Sequence, residues 1–212
     1  VKERQQEFKA VIREKLGEKR YTHSLNVADE CKKLAKFYDY DEDKAYITGL
    51  LHDVFKDTSH TKLLDYLTVN GVSQEDYELI APKLWHAAAG AIFVEKELGI
   101  SDLEIIDAIR YHTTGRRYMT KLDKILYVAD FITDDRNYDG VDIMREKAYT
   151  ELEYAVLEGV SFVIKDLIEN NQVIHPDTIG AYNQTLREVK IMQAALGAAL
   201  NKSTHFEGEN DL

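Results

Sequence analysis

One feature constrains this chain before any other: the helical period dominates its apolar residues. Residues 21–39 place Ser24, Leu25, Ala28, Cys31, Ala35 and Tyr38 on one stripe at steps of three and four. Residues 60–69, 83–98, 102–112 and 119–132 each predict another amphipathic or buried helix. "DEDKAYITGLLHD" opens on acidic residues suited to a helix N-terminus and then turns apolar. The breaks are equally readable. "NGVS" at 70–73 is a turn signal, "GISD" at 99–102 offers a C-cap glycine and an N-cap serine, and "TTGRR" at 113–117 is a polar loop. From Asp142 to Asn170 the pattern is one long helix. "HPDT" at 175–178 then reads as a stop and a fresh N-terminus, with Pro176 in a first helical turn, before a last helix over 178–200. The polar tail 201–212 is expected to fray. No stretch alternates as a half-buried strand does, and only two prolines and eleven glycines interrupt 212 residues. The chain is therefore read as all-α, with a helical core over 1–140 and C-terminal helices over 141–200 packed on the same domain. Those last helices could instead form a homodimer surface.

Composition narrows the partners. A net charge of −11 and an isoelectric point near 5.1 argue against long nucleic acid, which needs a basic face. A small anion remains open, because a few local cations suffice. The lone Cys31 rules out an intramolecular disulfide. Together with a charged start, "VKERQQEFKA", unlike a secretion signal, it points to a reducing, cytoplasmic setting. No apolar run reaches membrane-spanning length, so no membrane is expected.

Polar residues then occur where apolar ones belong. His112 lies on the stripe Ile105, Ile109, His112, and Asp130 on the stripe Leu122, Leu126, Asp130. His86 shares a face with Gly90 and Phe93. In "LLHDVFKD", His52 and Asp53 differ by roughly 100° around a helix, so both reach one ion only if it sits between them near the helix end. Lys56 and Asp57 follow one turn later, and either continue the site or form an ordinary surface ion pair. Any single inward histidine is most often a core residue bonded to a carbonyl. Four histidines and two aspartates on inward faces of separate helices instead suit a divalent metal such as Fe(II), Mn(II) or Zn(II). Trp85 either stacks on a base or packs in the core. Cys31 reads as inert, His60 as exposed, His175 as part of a turn, and His205 lies in the tail.

The ordered set His23, His52-Asp53, His86, His112 and Asp130 resembles the HD-domain phosphohydrolases, which carry one histidine, an HD dyad and a distal aspartate around a metal. "YTHSLNVADECKKLA", "LLHDVFKD", "WHAAAGAIFVEKELGI", "AIRYHTTGR", "KILYVADFITDDRNYDGVDIMR" and "IHPDTIGAYN" resemble, in order and spacing, the YqeK-type symmetrical bis(5'-nucleosyl)-tetraphosphatases. The resemblance implies an HD-domain helical bundle with a C-terminal helical extension. It implies metal ligands His23, His52, Asp53 and Asp130, holding one or two ions, with iron the expected metal. His86 and His112 match positions that either hold a second metal or touch substrate phosphate. Lys56, Thr113 and Arg136 match positions near the nucleotide phosphates, with Asp130 alongside. This chain departs from the family pattern at Thr133-Asp134, where Glu-Pro is common, so the loop leading to Arg136 is expected to differ.

The chemistry implied is hydrolysis of diadenosine tetraphosphate to two ADP by metal-activated water, with a nucleoside diphosphate such as ADP or GDP as product. Asp53, Lys56, His86 and His112 would act at the reacting phosphates, and Thr113 and the backbone around Gly115 would bind a phosphate oxygen. Two other readings stand beside it: an HD-type nucleotidase or phosphodiesterase acting on another small nucleotide, and a metal-dependent nucleotide-binding protein without turnover.

Overall fold

A computed structural model describes residues 2–73 and 81–207. Its described residues form ten α-helices and no strand, in agreement with the all-α reading. They are α1 (Gln5–Lys15), α2 (Glu18–Phe37), α3 (Glu42–Leu51), α4 (His60–Val69), α5 (Trp85–Lys96), α6 (Leu103–Tyr111), α7 (Lys121–Ile132), α8 (Val141–Ala148), α9 (Leu152–Glu169) and α10 (Pro176–Glu207). Short 3-10 turns at Lys2–Arg4 and Pro82–Leu84 precede α1 and α5.

Local chemistry sets the ends. Asp41 caps α3 by accepting from the Lys44 amide at 2.9 Å. Thr120 and Asp123 cap α7 reciprocally, each side chain accepting from the other's amide. Gly99 takes the left-handed conformation (φ +63°) that closes α5. Asp102, not Ser101, caps α6, accepting from the Glu104 amide at 3.0 Å. The carboxylate does the serine's job one residue later. Pro176 opens α10 as expected.

Two boundaries differ from the periodic pattern. The single helix expected over 142–170 is broken at 149–151 into α8 and α9. The break coincides with two long-range bonds: the Tyr38 hydroxyl donates to the Ala148 carbonyl at 2.7 Å, and the Tyr149 hydroxyl donates to Glu30 at 2.5 Å. Both draw the chain onto α2. The tail expected to fray from 201 continues as α10 to Glu207, while residues 208–212 lie outside the described residues.

α3 is the axis of the molecule. It is buried on every side from Ala45 to Leu51, as a helix apolar all round must be. Gly49 allows its closest approach: a Cβ there would lie 2.9 Å from both the Ala28 Cα and the Cys31 Sγ of α2. α2, α6 and α7 pack against this axis, with α7 also against α2 and α6, and α5 against α6. α9 covers α7, and Gly159 permits it, since a Cβ would stand 3.1 Å from the buried Tyr127 ring and 2.9 Å from Met144. α10 then lies on α9. No helix among the described residues is long and apolar enough to cross a membrane.

Candidate metal centre

Five segments bring their polar residues to one point. His23 comes from the first turns of α2, His86 from the start of α5 and Asp130 from the last turns of α7. His52 and His112 end α3 and α6, and Asp53 follows in the turn. The dyad therefore sits just past a helix end rather than on the helix. All four histidines and Asp53 are buried.

Three imidazoles are oriented in the same way. The Nδ1 of His52 donates to the Gly49 carbonyl (2.7 Å), that of His86 to Lys83 (2.7 Å) and that of His112 to Ile109 (2.8 Å). A carbonyl can only accept, so Nδ1 carries a proton and Nε2 faces the centre, where it offers a lone pair whenever the ring is neutral, as a metal ligand must be. Those lone pairs crowd. His86 Nε2 and His112 Nε2 are 3.2 Å apart, and each lies within 3.3 Å of Asp53 Oδ1. His52 Nε2 is 3.5 Å from Asp53 Oδ2 and 4.0 Å from Asp130 Oδ1. His23 is held between carboxylates, Asp135 on Nδ1 (2.8 Å) and Asp130 on Nε2 (2.9 Å).

Burial and charge act against each other here. Burial pushes the Asp53 carboxyl up, but the His52 charge and contacts with His112, His52 and His86 hold it well below the usual carboxylate range. Burial likewise raises Asp130, and its bond to His23 with the charges of His52 and Arg136 outweighs that and lowers it. Burial lowers His52, yet the Asp53 charge leaves it raised. For His86 burial prevails over Asp53, and the charges of His112 and Lys56 add to it, lowering the ring to about 4.

A cation fits what is left over. His52 Nε2 and Asp53 Oδ1 are buried and have no hydrogen-bond partner, a desolvation cost of about 1–3 kcal/mol each if nothing fills it. The ligand atoms of His23, His52 and Asp130 lie within 4.8 Å of one another, as do those of His52, Asp53 and His112. Imidazole and carboxylate oxygen together suit a divalent transition metal. The bonds from Nδ1 to carbonyl or carboxylate are the outer contacts that fix such ligands.

A family model described as the HD domain matches residues 20–134. The symmetrical bis(5'-nucleosyl)-tetraphosphatase of Halalkalibacterium halodurans is 37% identical over 182 residues, covering 85% of this chain and 96% of that protein. The Bacillus subtilis protein of the same name is 36% identical over 180 residues, 84% and 95% of the two chains. The chain belongs to the HD domain family, in the same branch as these relatives. A solved HD superfamily hydrolase of Clostridium acetobutylicum, described as involved in NAD metabolism, aligns with a TM-score of 0.84 at 37% identity, over 86% of this chain and 97% of its own. Membership in the HD family implies a divalent metal, and the donor set above is where these residues would hold it.

The remaining expected residues of this HD-domain chain divide clearly. Lys56 joins the cluster, its Nζ 3.1 Å from His86 Nε2 and 3.5 Å from Asp53 Oδ1. Thr113 places its hydroxyl 3.2 Å from His112 Nε2. Arg136 donates from Nε to the Asp130 carbonyl (2.7 Å) and pairs with the Asp130 carboxylate. Asp57 turns away, accepting from the Gly17 amide at 2.8 Å, so it is neither a ligand nor the partner of Lys56. The backbone at Gly115 does not face the site: its amide donates to Tyr111 (2.8 Å), and a Cβ there would lie 2.9 Å from Ala181 of α10. Trp85 and Cys31 are core residues, and burial pushes the Cys31 thiol well up.

Three site residues escaped the sequence reading. Asp135 orients His23, Asn26 donates to Asp135 at 3.0 Å, and Arg20 Nη1 lies 3.7 Å from Asp53 Oδ2. Arg20 and Asn26 flank His23 at three-residue steps, a signal that was available. Asp135 lies in the loop that departs from the family pattern and one residue beyond the matched span. Arg145 of α8 holds that loop, donating to the carbonyls of Ile132, Thr133 and Arg136 at 3.0, 3.0 and 3.1 Å.

Proposed function

We propose that this chain hydrolyses dinucleoside tetraphosphates symmetrically, diadenosine tetraphosphate giving two ADP, with iron as the native metal. The observation that carries the proposal is the set of inward lone pairs and carboxylates around His52 Nε2 and Asp53 Oδ1, both buried and without a hydrogen-bond partner. The names of relatives aligned over most of their length support the substrate class. His23, His52, Asp53 and Asp130 are the metal ligands in this reading. His86 and His112 present Nε2 as acceptors and so belong with the ligand side, at Asp53 Oδ1, rather than with proton donors. A bound divalent ion supplies Lewis-acid polarisation of a phosphoryl oxygen and acidifies water.

The chain's own groups do the positioning. Lys56 and Arg136 stand at opposite sides of the cluster and neutralise the polyphosphate. The Thr113 hydroxyl hydrogen-bonds a phosphate oxygen. Beyond Thr113 a cavity of about 510 Å³, bounded by Leu84, Val163, Leu167 and His175, takes the first nucleoside. The HD core over 1–140 carries the site, and the helices over 141–200 pack on it as part of one domain. A cytoplasmic setting is part of the same proposal.

The test is product analysis. Protein reloaded with Fe(II) without oxygen is given diadenosine tetraphosphate, and products are separated by ion exchange. ADP as sole product, lost with chelator, is expected. ATP plus AMP would discard the symmetrical cleavage. Absence of turnover would favour a nucleotidase or a binding protein instead.

A further inference from the structure

Past Arg136 the site opens into a second cavity of about 200 Å³, lined by Asp130, Phe131, Arg136, Tyr138 and Phe162. Three of these five are aromatic. The Tyr138 and Phe162 rings lie 5.0 Å apart, tilted by 40°, and Phe131 meets each of them edge-on at 6.4 Å. Phe162 is 41% exposed, although Leu152, Ala155, Val156, Gly159 and Val160 of the same helix are buried. An aromatic ring left open beside an arginine is a platform for a planar, anionic ligand, because every base offers a π-face to stack.

Its position relative to the first cavity is informative. Phe162 lines this cavity and Val163, the next residue of α9, lines the one beyond Thr113. Consecutive helical residues point roughly 100° apart, so α9 presents one side chain to each. The polar cluster runs between them, from Thr113 and His112 to Asp130 and Arg136. A substrate cut at its middle has a nucleoside at each end. We infer that the aromatic cavity binds the base of the second nucleoside, stacked on Phe162 and Tyr138, with Arg136 on the adjoining phosphates. This rests on the hydrolase reading above.

The experiment compares wild type with Phe162→Ala and Phe162→Tyr. It measures KM for diadenosine tetraphosphate and the inhibition constant of adenosine 5'-tetraphosphate, which has the phosphates but one base. Phe162→Ala should raise KM for the dinucleotide about tenfold, from loss of one stacked base. It should leave inhibition by the single-base compound unchanged, and Phe162→Tyr should restore KM. Far-UV dichroism checks that the helices are intact. An unshifted KM, or an equal shift for both compounds, overturns the inference while the hydrolase reading stands. A wild type that does not turn over the dinucleotide removes the hydrolase reading and the inference together.

Discussion

The two halves of the site are built by different means. His52, His86 and His112 are each fixed by a carbonyl of their own segment, three residues back in sequence. Their orientation is a by-product of helix formation. His23, Asp130, Asp135 and Arg136 are fixed by one another, His23 reaching carboxylates more than a hundred residues away. The first half is pre-set by local backbone; the second exists only when α2, α7 and the loop held by Arg145 have all docked. Local anchoring cannot be removed by a side-chain substitution, whereas each long-range anchor can.

This contrast orders the expected effects. Asp53 meets all three imidazoles of the first half and belongs to the ligand set, so Asp53→Ala should cost the most. Losing several kcal/mol of metal-derived stabilisation corresponds to a fall in kcat of about a thousandfold or more, with far-UV dichroism unchanged. Full activity in that variant would break the account. Asp135→Asn removes the long-range carboxylate behind His23. It should weaken metal affinity or turnover about 10–100-fold, read by metal titration; no effect would mean that His23 is positioned by α2 alone. Gly49→Ala pushes a methyl into α2 at Ala28 and Cys31 and should lower stability by about 1–3 kcal/mol, seen as a lower urea midpoint. Asp57→Ala removes only the bond to the Gly17 amide. It should cost at most about 1 kcal/mol and leave turnover intact, in contrast to its neighbour Lys56.

The same contrast explains what was legible in the sequence. Periodicity exposes a polar residue on an apolar stripe, so His112 and Asp130 stood out, and His86 was marked by the small residues of its face. The helices α2 to α7 were readable to within a few residues because their apolar period is local, whereas α1 (Gln5–Lys15) was not read. Asp135 was invisible: nothing in "TDDR" says that its carboxylate bonds a histidine 112 residues earlier. The break between α8 and α9 was hidden for the same reason, since the bonds at Ala148 and Tyr149 come from Tyr38, just past the end of α2, and from Glu30 on it. Gly115 looked like an open phosphate loop because only tertiary packing shows Ala181 against it.

The central claim is that the inward histidines and aspartates act by holding a divalent metal. Its most direct test follows bound Fe(II) per chain and hydrolysis of diadenosine tetraphosphate together, as chelated protein is reloaded without oxygen. Turnover absent from the metal-free protein and rising in proportion to bound metal is the predicted result. Full turnover by metal-free protein, or metal uptake that Asp53→Ala leaves unchanged, would contradict it.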